Sequence, residues 1–482
     1  MAQVNVLCPQ CNNVNQVEET LDAAVCKTCG TPYVVANAAN RFNTIFANAR
    51  CPSCTQGFLV NRYVEAAVCP NCNQPLIVQK AIDDYKVYND RIAGFEIRNG
   101  VLWNYTGAET AVVIPKGVTT IGTGAFSDRK DVISVDIPHT VKSIDGSAFK
   151  GCTALEAISF PGSIQHIHYS AFEGCVSLKR LYIPSSVKTI GYSAFEGCSA
   201  LEYVRFAGAD TKLDHHVFCE CSALTRVLLP SNLESIPRGT FSECSSLTRL
   251  TIPNGVSVIG EYAFWSCEKL SYLSLPESVE FIGKSAFAYC ENLLGVNIPF
   301  EIDEIGEEAF RECRSLRRVC FESYCTDIGR AAFAGCIELQ EIMFPGNMSD
   351  LTLGESAFEE CSALKSVNLP DGYTVTLGDC CFAGCASLST VVFGEGIEVI
   401  PGGAFYGCEK LEKVIFSEGI SAIIGDAFYN CKALTAIKLP ESLERLSTRA
   451  FCGCDQLDKS FEGDWTFEAD DDYSFDYMVR KI

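Results

Sequence analysis

A phenylalanine recurs along most of this chain at a spacing of 23 residues, and this period constrains the fold more than any other feature. In fourteen of the fifteen copies a cysteine follows three residues later; only the first copy, with Arg129, departs. A fixed period of this length is typical of chains in which identical units stack on one another to bury a shared core. The phenylalanines are Phe126, Phe149, Phe172, Phe195, Phe218, Phe241, Phe264, Phe287, Phe310, Phe333, Phe358, Phe382, Phe405, Phe428 and Phe451.

The best-formed unit has Leu178, Leu181, Ile183-Pro184, Ile190-Gly191 and Ala194-Phe195 ahead of Cys198. A 20- to 29-residue period with an L-x-x-L-x-L core indicates leucine-rich repeats. The arrangement resembles the BspA-like class over about three quarters of the chain, and the lead-in at 95–107 resembles the segment that often precedes such arrays. The resemblance implies a ligand-binding solenoid. Many members of the class are exposed on cell surfaces or secreted.

The residues themselves predict the same repeat solenoid. Leu181 and Ile183 alternate with outward residues at period two, which indicates one short strand per unit, and Pro184 ends that strand. The Ile-Gly to Ala-Phe half is expected to be a return segment. Counting from Val112 to Leu439 predicts about fifteen strands, arranged as a leucine-rich-repeat horseshoe or arc with a parallel concave sheet.

Ahead of the repeats, two C-x-x-C pairs separated by fourteen residues occur twice, with an offset of 43 between matching cysteines. Two such turns supply the four tetrahedral thiolates of a closed structural zinc site. The spacing resembles the zinc-ribbon family and predicts two structural Zn²⁺ ions; disulfides or redox-active C-x-x-C pairs are the alternatives. The predicted metal ligands are Cys8, Cys11, Cys26 and Cys29 in the first module and Cys51, Cys54, Cys69 and Cys72 in the second.

These features divide the chain into five parts. We expect zinc ribbons at 1–40 and 41–80, a linker at 81–95, the solenoid at 96–456 and a C-terminal part at 457–482. The last part mixes acidic and aromatic residues, and we interpret it as a solenoid cap or a docking tail. Two units are longer than 23 residues, with the extra residues in 346–351 and 371–375, where surface loops are expected.

The formal net charge of −22 lies almost entirely beyond the cysteine modules, because residues 1–80 hold five Lys or Arg against four Asp or Glu. Such an acidic body repels phosphate backbones, which disfavours nucleic acid as a partner. No apolar run is long enough for a membrane span, and the N-terminus has no signal-peptide pattern. We therefore expect a soluble, cytoplasmic protein whose 28 cysteines are metal ligands and free thiols, with surface exposure implied only by family analogy.

Outward strand positions carry an unusual set of cations and aromatic residues for so acidic a chain. Arg and Tyr are enriched at binding hot spots, although exposed strands also favour Tyr for its propensity alone. We expect these side chains to form one column on the concave sheet and to bind a ligand. The predicted ligand-binding residues are Arg180, Tyr182, Tyr203, Arg205, Arg226, Arg249, Tyr272 and Arg318.

The sequence favours a protein that is not an enzyme. The repeat cysteines fit structural packing, because parallel side chains at equivalent positions cannot pair as disulfides. Cys320 occupies an outward strand position, but no His lies at a matching position in an adjacent repeat to activate it. A closed four-thiolate zinc site also leaves no open position for catalysis.

The leading functional interpretation is a binding scaffold or adaptor. The array would recognise a protein or peptide, preferably an acidic one, or a carbohydrate, and the zinc ribbons would act as a second interaction module. No membrane contact is expected. Two alternatives stay open: a regulatory protein that contacts nucleic acid through its ribbons, and a surface or host-interaction adhesin exported without a recognisable signal.

Overall fold

A computed structural model of the chain describes residues 94–321, 327–344, 350–369 and 374–458, together with the backbone of ten strands outside these ranges. The chain divides into two compact units. The first comprises Met1–Glu96 and Tyr105–Pro115, and the second Ile97–Asn104 and Lys116–Ile482. In the described residues no helix is long and apolar enough to cross a membrane.

The first unit contains four antiparallel strand pairs, β1–β2, β3–β4, β5–β6 and β7–β8. In each pair the two strands are joined by six residues, and the first of the six is a cysteine of a C-x-x-C motif. The strands are β1 Gln3–Leu7, β2 Val14–Glu18, β3 Ala23–Val25, β4 Pro32–Val34, β5 Phe46–Arg50, β6 Gly57–Asn61, β7 Ala66–Val68 and β8 Pro75–Ile77, and β11 at Ala111–Val113 is also assigned to this unit.

The second unit is a parallel-sheet solenoid, as the sequence predicts, in which each turn contributes one strand of three or four residues. We call these the long strands. They are β13 Ser134–Asp136, β15 Ala157–Ser159, β17 Arg180–Ile183, β19 Tyr203–Phe206, β21 Arg226–Leu228, β23 Arg249–Thr251, β25 Tyr272–Ser274, β27 Gly295–Ile298, β29 Arg318–Phe321, β31 Glu341–Met343, β33 Ser366–Asn368, β35 Thr390–Val392 and β37 Lys413–Ile415.

Counting β11, fourteen segments of this type are strands in the described part of the chain, against about fifteen expected. The fifteenth was placed at Leu439, but residues 434–440 form no strand.

The expected return segment contains a second parallel ladder of shorter strands, which the sequence did not predict. After β9 Phe95–Arg98 and β10 Val101–Tyr105, these short strands are β12 Thr120–Ile121, β14 Ser143–Ile144, β16 His166–Ile167, β18 Thr189–Ile190, β20 Lys212–Leu213, β22 Ser235–Ile236, β24 Val258–Ile259, β26 Phe281–Ile282, β28 Glu304–Ile305, β30 Asp327–Ile328, β32 Leu351–Leu353, β34 Val375–Leu377, β36 Val399–Ile400, β38 Ala422–Ile423 and β39 Arg445–Ser447. Most have two residues, which is too short for a period-two pattern to be visible.

An antiparallel hairpin follows the last turn. Its strands are β40 Trp465–Ala469 and β41 Asp476–Arg480, and β41 pairs with β39. The terminal sheet therefore has the order β36-β38-β39-β41-β40, so the edge strand on this side is β40 and not a strand of the repeat.

The core is a continuous stack of phenylalanine rings. Every ring of the 23-residue series from Phe126 to Phe428 is fully buried, and each ring from Phe126 to Phe451 stacks on the next at 4.8–5.8 Å between centroids. Ring pairs at this separation contribute about 0.5–1.5 kcal/mol each beyond the area that they bury. The repeated Phe therefore links each turn to both neighbours.

The repeat cysteines pack beside this stack and form hydrogen bonds that the sequence did not predict. The thiol of Cys175 donates to the carbonyl of Phe149, 3.2 Å away, and that of Cys198 donates to Phe172 at 3.3 Å. The same contact recurs up to Cys454 and Phe428. Each thiol thus adds a bond between successive turns, and the prediction of a structural packing role agrees with this geometry.

The glycine that follows the short strand permits the close stacking of the turns. A Cβ on Gly306 would lie 2.6 Å from the carbonyl carbon of Gly283 in the preceding turn. No real Cβ makes such a contact with backbone, so a side chain here would force the two turns apart.

Candidate ligand-binding face

Side chains alternate across the long strands as the sequence predicts. On β17, Leu181 and Ile183 are buried, whereas Arg180 and Tyr182 lie on the opposite face and are half-buried. We call this second surface the long-strand face. The parallel register sets Arg180 beside Tyr203 and Tyr182 beside Arg205, so the residues predicted from different repeats lie on neighbouring strands.

Tyr203 lies on this face but is only 5% exposed, although an open contact residue was expected there. The guanidinium of Arg226 lies over its ring, 5.9 Å from the centroid, and the ring of Tyr182 meets it edge-on at 6.0 Å. The long side chains of both flanking strands therefore cover Tyr203.

The predicted single column is interrupted. Hydrogen-bonded pairing joins β17, β19 and β21 in one sheet and β23 and β25 in another, so Arg226 and Arg249 are not register partners. The turns still stack at this point, since the amide of Ser246 donates to the carbonyl of Ser222, 3.1 Å away. Strands of three residues carry few ladder bonds, so the strand pairing ends here although the turns remain in contact.

The arginines of the long-strand face differ in whether they have an acidic partner. Arg180 is 3.8 Å from Glu202 with 15% of its side chain exposed, and Arg318 is 3.0 Å from Glu341. Arg226 and Arg249 are both exposed, and within the described ranges no carboxylate lies within 4.0 Å of either guanidinium. These two cations are therefore open to an anionic ligand.

Tyr272 provides an apolar surface beside them. It is in register with Arg249, and at 69% exposure it is the most exposed large hydrophobic side chain in the described part of the chain. An aromatic ring next to a guanidinium can pack on a flat group while the cation binds an oxygen.

The eight predicted zinc ligands, from Cys8 to Cys72, lie outside the described residues. The insertion segments 346–351 and 371–375 are also described only in part.

The cysteine thiols of the repeats are the next candidates for chemistry. Burial raises the pKa of Cys152 to about 12, which suppresses the thiolate that nucleophilic catalysis requires. On the long-strand face, Cys320 lies with its sulfur 3.7 Å from that of Met343, which is not a base.

Comparison with known proteins agrees with this architecture. The model of the BspA type leucine-rich repeat region, in six copies, matches residues 96–225, 211–340 and 326–458. The chain belongs to the BspA-type leucine-rich-repeat family. No curated protein matches the chain at a significant level.

Several solved structures are similar to this BspA-type chain. A leucine-rich repeat protein from Bacteroides ovatus is 26% identical, with a TM-score of 0.65, over 73% of this chain and 93% of the other. A leucine rich cell surface protein from Faecalibacterium prausnitzii is 25% identical over 77% and 93%, with a TM-score of 0.43. The pneumococcal vaccine antigen PcpA is 19% identical over 72% and 89%, with a TM-score of 0.41.

Sequence reasoning missed one group of side chains. Cys219 is one of the few cysteines outside both the repeat column and the N-terminal motifs, and its sulfur lies close to carboxylates of Glu196 and Glu220. The signal was present in the sequence, because Cys219 and Glu196 each follow the repeat phenylalanine directly. Aligning successive units at that position would have brought the pair together.

Proposed function

We propose that this BspA-type chain is a non-enzymatic binding scaffold that holds an acidic segment of a partner protein on its long-strand face. The observation that carries the proposal is the exposure of Arg226 and Arg249 without an acidic partner in the described residues, on a chain of net charge −22. Elsewhere on this face, the cations Arg180 and Arg318 already have carboxylate neighbours.

The physical argument concerns charge and geometry. A guanidinium presents a planar set of donors that fits a carboxylate with two parallel hydrogen bonds, and such charge-assisted bonds are about twice as strong as neutral ones. Arg226 is held over the ring of Tyr203, so less side-chain entropy is lost when it binds. Tyr272 would contact the apolar part of the same ligand.

The test reverses both charges. In the Arg226→Glu, Arg249→Glu double variant, affinity for a fluorescein-labelled oligoglutamate peptide should fall at least about 100-fold, since each hot-spot arginine is worth about 1–2 kcal/mol or more. Fluorescence anisotropy at low and high salt measures the affinity. Lys413→Glu is the matched control, because Lys413 is an exposed cation at the equivalent position of β37. The thermal midpoint should hardly change, because these side chains lie outside the core.

Affinity purification from the native organism should then recover partners with the wild type and the control but not with the double variant. If the double variant keeps full affinity for the peptide and for those partners, the long-strand face is only a solvated surface. A sulfated oligosaccharide and the oligoglutamate peptide are used in parallel as competitors of the recovered partner. Only the competitor that shares the partner's chemistry, carbohydrate or peptide, should displace it.

The N-terminal unit is proposed to be a second interaction module held by two zinc ions. Supporting this, each C-x-x-C motif lies in sequence between the two strands of an antiparallel pair, which is where a zinc ribbon carries its ligands. The buried repeat thiols also support the proposal that the protein functions in a reducing compartment such as the cytoplasm, because oxidation of a buried thiol would disrupt the core.

A further inference from the structure

The ladder of short strands is interrupted at two prolines. After most short strands, the next residue donates its amide to the preceding turn, as Gly260 does to the carbonyl of Ile236 at 2.8 Å. Pro237 and Pro401 occupy this position after β22 and β36, and proline has no amide hydrogen to donate. In the described part of the chain, β22 does not pair with β20 and β36 does not pair with β34. Each proline thus ends a ladder.

The phenylalanine stack is widest at the first of these interruptions. Phe218 lies 5.7 Å from Phe195 and 5.8 Å from Phe241, whereas the other ring pairs of the series are at 4.8–5.5 Å. The residue before the ring is Ala in twelve of the fifteen units, but it is Val217 and Thr240 here. Both are fully buried, and a larger side chain in a tightly packed position separates the layers.

A hydrogen bond at the same corner lengthens with the stack. The carbonyls of Val217 and Thr240 accept from the amides of Phe195 and Phe218 at 3.0 Å, against 2.7–2.8 Å for the equivalent bonds of the other turns. The rings, this bond and the short-strand ladder therefore all show weaker coupling between the turns here.

The turn of residues 226–241, which we call the pivot turn, is held to one neighbour on each of its strands. Its long strand β21 pairs with β19 of the preceding turn, but among the described strands it does not pair with β23 of the following turn. Its short strand β22 pairs with β24 of the following turn and not with β20. A turn attached in this staggered way can tilt about its phenylalanine corner while few hydrogen bonds break.

We propose that the pivot turn is a joint in the long-strand face and that an acidic ligand closes it. This closure rests on the proposed function, because Arg226 lies on β21 and Arg249 on β23, at the two sides of the unpaired gap. In the free chain the two like charges repel each other across adjacent turns, which favours the open gap. A carboxylate bound by both would reverse this force and draw β21 towards β23.

Pro237→Ala tests the joint without any ligand. The variant regains an amide that can donate to the carbonyl of Leu213 in the preceding turn, and alanine keeps the Cβ that proline already has. In hydrogen–deuterium exchange of the free full chain, the amides of 212–216 and 234–241 should exchange about three- to tenfold more slowly, which corresponds to about one added backbone hydrogen bond.

Pro401→Ala is the matched control, because it makes the same change at the second interruption, far along the array from Arg226 and Arg249. It should slow exchange in its own turn and leave 212–216 and 234–241 unchanged. Circular dichroism checks that both variants fold. Unchanged exchange of 212–216 and 234–241 in Pro237→Ala would overturn the joint, whatever the ligand proves to be.

The closure is tested with the labelled oligoglutamate peptide. In the wild type, saturating peptide should slow exchange of the amides of 226–228 and 249–251, because a closed gap lets β21 and β23 form ladder bonds. Pro237→Ala should bind the peptide about three- to tenfold more weakly than the wild type, since its added hydrogen bond must break before the turn tilts. Pro401→Ala should bind within about twofold of the wild type.

The outcomes separate the joint from the proposed function. If the wild type binds the peptide without slower exchange at β21 and β23, or if Pro237→Ala binds it as tightly, the closure is wrong and the proposed function stands. If the wild type does not bind the peptide, the proposed function and the closure both fail, and the joint itself is decided by the exchange of the free chain.

Discussion

Phe287→Ala should weaken the solenoid more than the same change at the end of the stack. The Phe287 ring stacks on Phe264 at 5.1 Å and on Phe310 at 5.2 Å, and it is fully buried. Phe451 stacks on one described ring, Phe428, at 5.3 Å, and retains 5% exposure. The two substitutions thus remove the same side chain with different numbers of ring contacts.

The expected magnitudes follow from these contacts. Phe→Ala in a packed core costs about 3–5 kcal/mol, and each aromatic pair accounts for about 0.5–1.5 kcal/mol. We therefore expect about 4–5 kcal/mol for Phe287→Ala and about 1 kcal/mol less for Phe451→Ala. Phe287→Leu keeps most of the side-chain volume but loses both ring stacks, so it should lower the free energy of unfolding by about 1.5 kcal/mol.

Urea unfolding gives the overall change in the free energy of unfolding, and amide hydrogen exchange shows where it acts. Because each turn contacts only its neighbours, protection should fall first in the turns of Phe264 and Phe310 and less in distant turns. Equal losses for Phe287→Ala and Phe451→Ala, or a uniform loss of protection along the array, would refute the idea that ring stacking couples the turns locally.

Three further predictions concern the metal modules, the turn spacing and one ion pair. The full chain, prepared without added metal, should carry about two equivalents of zinc by elemental analysis, and a value near zero in reduced protein would contradict the zinc ribbons. Gly306→Ala should lower the thermal midpoint clearly, whereas Gly162→Ala should not, because a Cβ at Gly162 meets nothing within 4 Å. The hydrogen bond from Lys284 holds the pKa of the Glu307 carboxyl below its ordinary value. The ionised Glu307 therefore stabilises the fold above the unfolded-state pKa, and this stabilisation is lost as pH falls through the folded-state pKa. The stability difference between wild type and Glu307→Gln, measured by thermal unfolding, should therefore shrink between about pH 6 and about pH 3.

The sequence alone determined the repeat, the buried positions and the face on which each strand residue lies. A 23-residue period with fixed Leu, Ile, Phe and Cys positions predicts a stack of turns in which equivalent side chains lie on one another. The buried and outward positions around Leu181 and Ile183 could therefore be assigned from one unit. The packing role of the repeat cysteines also followed from their parallel positions.

Only the tertiary structure decided how residues of different turns combine. The burial of Tyr203 depends on where the side chains of Arg226 and Tyr182 lie, and rotamers are not encoded in a periodic pattern. Whether a cation is open or paired depends on the turn beside it, as the contrast between Arg318 and Arg249 shows. The two-residue strands have no sequence signature of their own, because their pairing comes from the stacking of whole turns.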